Sequence, residues 1–272
     1  MTGKVREAIS HAAARFGFSE TPRLDAELLM AHALGCTREA LLLGRLDDPA
    51  PDGFAALVER RAAHEPVAYI TEVRAFWTIE LAVGPGVLVP RADTETLMEA
   101  AVEHFGERSP RAVLDLGTGS GALLLAALDQ WPEAGGVGVD RSPQALAVAR
   151  YNARLLGVEA RARFVEGGWD AVEGTFDLVL SNPPYIADTE ELAREVAEYE
   201  PASALYAGPD GLDEYRALAP IIARRIAPGG VACIEIGSSQ GESAAAPFRA
   251  EGLTVDLRQD LGGRDRCLVA TP

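Results

Sequence analysis

The sequence has almost no lysine. Lys4 is the only one among 25 basic residues, which face 41 acids and leave a formal net charge of −16. A chain whose main task is to grip phosphates carries a basic patch, and this one leans the other way. Acidity also serves solubility alone, so charge by itself does not choose a partner. The deficit is uneven: residues 1–75 are near neutral at −2, and residues 76–272 hold the remaining −14. Cysteine is scarce too. Cys36, Cys233 and Cys267 are odd in number, widely spaced and without a zinc-ligand pattern, which fits a reduced, cytoplasmic setting. No run of eighteen apolar residues occurs, which argues against a membrane span. The start, Met1-Thr2-Gly3-Lys4-Val5-Arg6-Glu7, is charged at once and lacks the apolar core of a signal peptide.

At 272 residues and 48% hydrophobic content, the chain can hold one large domain, or one large and one small. Residues 4–63 read as helices only, with Val5, Ile9, Ala12 and Phe16, then Leu24, Leu28 and Ala33, then Phe54, Leu57 and Val58 at helical spacing. Gly17, Gly35, Gly44 and the stretch Pro49–Gly53 punctuate them. The pattern changes near Tyr69. Phe76–Val83 alternates like a strand, Gly84-Pro85-Gly86 turns, and Val87-Leu88-Val89 resumes, which predicts a hairpin. Asp93 is placed to cap a helix through Leu97, Ala101 and Phe105. Beyond Arg111, strands near 112–116, 136–140, 161–165, 176–181, 230–236, 253–258 and 266–270 alternate with helices near 121–131, 143–156, 211–226 and 239–250. That alternation predicts a mostly parallel α/β sheet. The expected organisation is a helical bundle over 1–73, a hairpin linker over 74–92 and a larger α/β domain over 93–272.

Asp115-Leu116-Gly117-Thr118-Gly119-Ser120-Gly121 closes a strand, passes through a glycine loop and opens a helix. Glycines let backbone approach a ligand closely, and a helix start offers unpaired N–H donors. Nineteen residues beyond Gly121, Asp140 ends the next strand, where an acid can bind a ribose diol. A loose dinucleotide pattern is satisfied as well through Gly117, Gly119 and Ala122, so glycine spacing alone decides little. Two features favour S-adenosylmethionine over NAD: Asp115, suited to an amino-acid ammonium, and the motif Asn182-Pro183-Pro184-Tyr185, which hydride transfer does not need. Trp169 is a candidate wall for adenine, or else a half-buried core aromatic.

Asn182-Pro183-Pro184-Tyr185 follows the apolar run Phe176–Ser181. Each proline fixes its own φ and extends the residue before it, so the Asn182 side-chain oxygen and the Pro183 carbonyl can point outward together beside the Tyr185 ring. Two acceptors and an aromatic face suit a planar group bearing an NH2. An amide nitrogen is a poor nucleophile. Holding both of its N–H bonds positions it and stabilises the positive charge that grows on methylation. No metal is called for, and none of the four histidines lies near these motifs. Asp188, Glu190, Glu191, Glu195, Glu198 and Glu200 then crowd one stretch, offset only by Arg194. As a helix, that stretch is either a solvated face or a surface that repels nucleic acid and attracts a basic peptide.

With these motifs in place, the chain resembles the HemK/PrmC family nearly end to end. The resemblance rests on Glu65–Ile70, Phe76-Trp77, the segment Leu88–Glu95 containing Pro90-Arg91-Ala92-Asp93-Thr94-Glu95, the glycine loop, Asn182–Tyr185, Gly208–Arg216 and Asp260–Arg266. It implies a seven-stranded Rossmann-like methyltransferase sheet with its last strand antiparallel, and a small N-terminal helical domain for substrate recognition. It further implies methylation of the glutamine in the Gly-Gly-Gln motif of peptide chain release factors, with S-adenosylmethionine as donor. Family cofactor contacts map onto Gly117 to Gly121, Asp140, Trp169 and Asn182, and the substrate pocket onto Asn182 to Tyr185. Three positions depart from the family pattern: Glu72 in place of glycine, Ala92 in place of proline, and Gly168 in place of an acid, with Glu166 a nearby substitute. The rivals are a methyltransferase for a ribosomal-protein glutamine, which typically lacks Asp93-Thr94-Glu95, a nucleic-acid amino-methyltransferase, and a non-catalytic binding module.

Overall fold

The computed structural model describes residues 3–272; Met1 and Thr2, the beginning of the charged N-terminus, lie outside the described residues. Two compact units are distinguished: one runs up to Val73 and takes in Leu192–Tyr199, and the other comprises Arg74–Glu191 and Glu200–Pro272. No helix among the described residues is long and apolar enough to cross a membrane.

The first unit consists of α1 (Val5–Arg15), α2 (Pro22–Ala33), α3 (Arg38–Gly44), α4 (Phe54–Ala62), α5 (Val67–Thr71) and, from later in the chain, α9 (Arg194–Tyr199). On α1, Val5, Ile9 and Ala12 recur at helical spacing and are all buried. They pack with Phe16, Leu29, Met30, Leu41 and Phe54 into one core. Arg61 is buried in this unit between Asp25, at 2.9 Å, and Glu195 of α9, at 2.6 Å. Of the acidic stretch after Tyr185, only Arg194–Tyr199 is helical.

A hairpin, β1 (Val73–Phe76) and β2 (Ile79–Ala82), starts on the last residue of the first unit's leading segment and otherwise belongs to the second unit. Its turn is at Trp77-Thr78, with Trp77 at φ +54°, and not at Gly84–Gly86 as the turn residues predict. Val87–Val89 forms no strand. A tight turn reversed the chain earlier because the Trp77 N–H is held by Glu95 Oε1 and its indole by Gln130 Oε1, contacts distant in sequence. Asp93 lies in a 3₁₀ turn, Ala92–Thr94, and Thr94 rather than Asp93 precedes α6 (Glu95–Phe105).

After α6 the chain alternates through β3 (Ala112–Leu116), α7 (Ala122–Gln130), β4 (Gly135–Asp140), α8 (Pro143–Leu155), β5 (Ala162–Glu166) and β6 (Phe176–Ser181). It finishes with α10 (Asp213–Arg225), β7 (Ile226–Glu235), α11 (Gly241–Ala250), β8 (Thr254–Gln259) and β9 (Asp265–Thr271). The seven strands lie in the order β5-β4-β3-β6-β7-β9-β8, parallel except for β9, which is antiparallel to both neighbours. Near-continuous apolar runs such as Leu178-Val179-Leu180 suit strands covered on both faces. The order reverses at β3: β4 and β5 extend to one side, β6 to the other, and ligands of such sheets bind at that reversal, beyond the strands' C-terminal ends.

Register decides what gathers there. Leu116 pairs with Val139 and with Ser181, and Ser181 pairs with Ile234. One residue farther along each strand, Gly117, Asp140, Asn182 and Glu235 therefore form one row.

Glu72 caps α5 in the left-handed region, at φ +60° and ψ 14°. A Cβ there costs about 1–2 kcal/mol, against about 0.4–1 kcal/mol of unfolded-chain entropy that glycine would add back. Glu72→Gly is therefore expected to stabilise the protein by up to about 1 kcal/mol, read as a rise in urea midpoint; a lower midpoint contradicts the strain.

Candidate functional site

The C-terminal ends of β3, β4 and β6 border a cavity of about 300 Å³, lined by Gly117, Gly119, Asp140, Trp169, Asn182 and Pro184 among others. Of the catalytic, cofactor and substrate candidates named from the sequence, these six line it. Asp115, Thr118, Ser120 and Gly121 lie in or under the loop, and Pro183 and Tyr185 continue the chain past its wall.

The glycine loop is held from three directions. The N–H groups of Gly117 and Thr118 both donate to the Val139 carbonyl at 2.9 Å. The Gly119 N–H donates to Asp140 Oδ2 at 2.9 Å, while Asp140 Oδ1 accepts from the Ser142 N–H at 2.8 Å. Buried Asn152 accepts from the Ala82 N–H and donates to the carbonyls of Ala82 and Ser120, tying loop to hairpin. Gly117 has φ +76°, and a Cβ there would lie 3.2 Å from the Trp169 ring, so only glycine leaves this approach open.

Asp115 is almost fully buried beneath the loop. Its Oδ2 accepts from the Thr118 hydroxyl at 2.6 Å and the Leu124 N–H at 3.2 Å, while Oδ1 has no partner. Burial outweighs those two hydrogen bonds and, with the Asp140 charge nearby, pushes its carboxyl up to about 7. A buried orphan acceptor of this kind fits a ligand ammonium. The glycine cradle and Asp140, whose oxygens each keep a free lone pair, fit the remainder of a nucleoside ligand. Trp169 is oriented by its indole N–H, which donates to Glu214 Oε2 at 2.6 Å, and Arg141 lies over its ring at 5.7 Å. Gly168 lines the cavity without a side chain, and Glu166 does not line it.

On the other wall, Ser181 Oγ donates to the Leu116 carbonyl and pins β6 to β3. The Asn182 Nδ2 group donates to Thr94 Oγ1 at 3.3 Å. Pro183 and Pro184 are buried. The Tyr185 hydroxyl donates to Glu235 Oε1 at 3.1 Å, and Gln240 Nε2 holds the Tyr185 carbonyl at 2.9 Å. Burial and the Glu235 charge raise the Tyr185 phenol, which stays protonated as a donor.

Sequence reading missed several wall residues. Gly86, Val87 and Leu88 reach the cavity from the segment after the hairpin, where the expected strand obscured a loop held by Gln144 Nε2 on the Pro85 carbonyl. Pro201, Ser203 and Ala204 also line it, from a stretch with no periodic signal. The acids after Tyr185 have divided fates. Asp188, Glu190 and Glu191 are exposed, Glu195 and Glu198 are paired with Arg61 and Arg194, and Glu200 is buried, accepting from the Val89 N–H and from Arg91.

Family comparison agrees with this architecture. The PrmC N-terminal domain model matches residues 7–71, and the methyltransferase small domain model matches residues 91–200. A release factor glutamine methyltransferase of Rhodospirillum rubrum is 46% identical over 261 residues, covering 92% of this chain and 79% of that protein. One from Mycolicibacterium smegmatis is 40% identical and covers 98% of each chain. Among solved structures, a Pyrococcus furiosus methyltransferase aligns at TM-score 0.53 and 18% identity, covering 79% of this chain and 96% of its own. A ribosomal protein methylase of Lactobacillus delbrueckii subsp. bulgaricus aligns at 0.50 and 21%, covering 69% and 82%. These two share the fold. With relatives so similar over nine-tenths or more of its length, the chain belongs to the release factor glutamine methyltransferase family.

Proposed function

We propose that this protein methylates the side-chain amide nitrogen of the Gly-Gly-Gln glutamine in peptide chain release factors, in the cytoplasm, without a metal and without binding nucleic acid directly. The observation that carries the reading is the Asn182 side chain: its Nδ2 is committed to Thr94, which leaves Oδ1 as the end free for a substrate amide. The relatives' names supply the acceptor.

S-adenosylmethionine, when bound, supplies an electrophilic sulfonium methyl and departs as S-adenosylhomocysteine. Asp115 receives its ammonium, the backbone of Gly117, Thr118, Gly119, Ser120 and Gly121 cradles it, Asp140 takes the ribose diol, and Trp169 covers the adenine. Asn182 Oδ1 and the Pro183 carbonyl accept the two N–H bonds of the glutamine amide, turning its nitrogen lone pair toward the donor and stabilising the charge that grows there. Pro184 stiffens this clamp, and Tyr185 stacks on the amide plane and excludes water. The amide proton leaves to solvent. Residues 1–73 act as a substrate-recognition domain, 74–92 as its linker, and 93–272 as the catalytic domain.

Labelled S-adenosylmethionine incubated with a release factor, and with the same factor carrying a replaced glutamine, tests the assignment; label is expected on the first alone. Asn182→Ala is expected to lower kcat by about 10²–10³-fold while the fold and most cofactor affinity survive, and full turnover would refute the clamp.

Asp115→Asn is expected to weaken cofactor binding in calorimetry, because the orphan acceptor becomes a donor. It also alters the free protein. With its carboxyl raised to about 7 from an ordinary 3.8, Asp115 contributes stability that is complete below pH 4 and lost as pH rises through 7. The loss is on the order of 4 kcal/mol from a shift of about three units. Melting temperatures of the two proteins should therefore diverge from pH 4 to pH 8 in favour of the asparagine form; parallel curves would show that Asp115 is not so raised.

A further inference from the structure

We propose that Thr94 and Glu235 form a positioning relay that sets which end of the Asn182 side chain faces the substrate, with Glu235 also fixing the Tyr185 ring. The proposal rests on the amide-clamp reading of Asn182. An asparagine side chain presents one acceptor or, turned by half a rotation about its last bond, two donors in nearly the same space. A clamp that must accept the substrate's N–H bonds fails in the second orientation. Something in the protein has to choose.

The choice falls on Thr94, whose Oγ1 receives the Asn182 Nδ2 group at 3.3 Å across 88 residues of chain. A hydroxyl can donate as well as accept, so Thr94 holds this role only if its own proton is drawn elsewhere. The neighbouring acceptor is Glu235, whose carboxyl is pushed up by burial while the Thr94 hydroxyl, Arg266 and the Tyr185 hydroxyl oppose that shift. Glu235 is 1% exposed and Thr94 3%, so neither can trade its partner for bulk water. The carboxylate is divided. Oε1 accepts from the Tyr185 hydroxyl at 3.1 Å, and buried Oε2 has no hydrogen-bond partner, so it is the acceptor left open to the Thr94 proton. Arg266, also buried, offsets the charge and is itself held by Asp93 at 3.2 Å and Asp260 at 3.5 Å.

Sheet register places this anchor. Ser181 and Ile234 are partners on β6 and β7, so Asn182 and Glu235 leave adjacent strands side by side. When ionised, this carboxylate accepts from the Tyr185 hydroxyl through one oxygen and has the other open to the Thr94 proton, so one group bears on both the amide clamp and the aromatic wall. Thr94 and Glu235 touch no reacting atom in this scheme and act through Asn182 and Tyr185.

The test compares Thr94→Val, Thr94→Ser, Glu235→Gln and Asn182→Ala in the full-length protein, with kcat on a release factor, cofactor affinity by calorimetry, and melting temperature. Valine keeps the shape and removes the hydroxyl; serine keeps the hydroxyl. Expected is a drop in kcat of about tenfold or more for Thr94→Val, with cofactor affinity within about twofold and serine restoring most of the rate. Glu235→Gln, which adds donors where only acceptors stood, should lower kcat in the same way and supplies the reading if the valine variant does not fold. Wild-type kcat in a folded Thr94→Val or Glu235→Gln protein overturns the relay, as does a serine variant as slow as valine. If Asn182→Ala itself turns over at the wild-type rate, the clamp has failed. If that variant is dead while Thr94→Val is unimpaired, only the relay has failed.

Discussion

One rung of the parallel sheet organises the whole site. Leu116, Val139, Ser181 and Ile234 are matched across four adjacent strands, and the next residue on each strand is Gly117, Asp140, Asn182 or Glu235. Each of these belongs to a different local motif, and their chemistry depends on arriving at the same level. A slip of one residue on any strand would turn its side chains to the opposite face and send the functional residue away from the row. Buried apolar residues on both faces prevent that slip, so the core that holds the sheet together also sets the distances at which the glycine loop, Asp140 and Asn182 meet.

The carboxyl groups in and beneath this row are not equivalent, and the differences follow from their neighbours. Asp140 sits at the cavity with both oxygens on backbone N–H groups. Asp115 lies beneath the loop with one oxygen unpartnered, and burial raises it toward neutral pH. Glu235 is raised by burial as well, yet two hydroxyls and Arg266 oppose that shift. Leaving a buried polar atom unpaired costs on the order of 1–3 kcal/mol, more when it carries charge. The orphan at Asp115 is therefore a cost that a bound cation would offset; Glu235 has an orphan of its own at Oε2, beside an Oε1 held by the Tyr185 hydroxyl.

Much of this was legible in the sequence. The strands over 112–116 and 176–181 stand out because parallel strands buried on both faces are short apolar runs, and Asp115, Gly117–Gly121 and Asn182 stand at their ends. What escaped depends on contacts that no local pattern encodes. Gly84-Pro85-Gly86 carries stronger turn residues than Trp77-Thr78, yet the turn forms at Trp77 because Glu95 and Gln130 hold its two N–H groups. Thr94 reads as part of a helix start, and its tie to Asn182 spans 88 residues. The depth of Asp115 was hidden too, since its residue type is visible in the sequence but its missing partner is not.

Charge counted along the chain also misstates what a partner meets. Six acids follow Tyr185 closely, yet Glu195 offsets buried Arg61, Glu198 pairs with Arg194, and Glu200 is buried against Arg91 and the Val89 N–H. Only Asp188, Glu190 and Glu191 of that group stay exposed and free to act over the ~8 Å range that physiological salt permits. A glutamine amide carries no net charge for them to attract. Selection of the reacting group must therefore come from short-range, directional contacts rather than from surface charge. The two effects are separable physically: a directional hydrogen bond is insensitive to salt, and attraction to exposed acids is not.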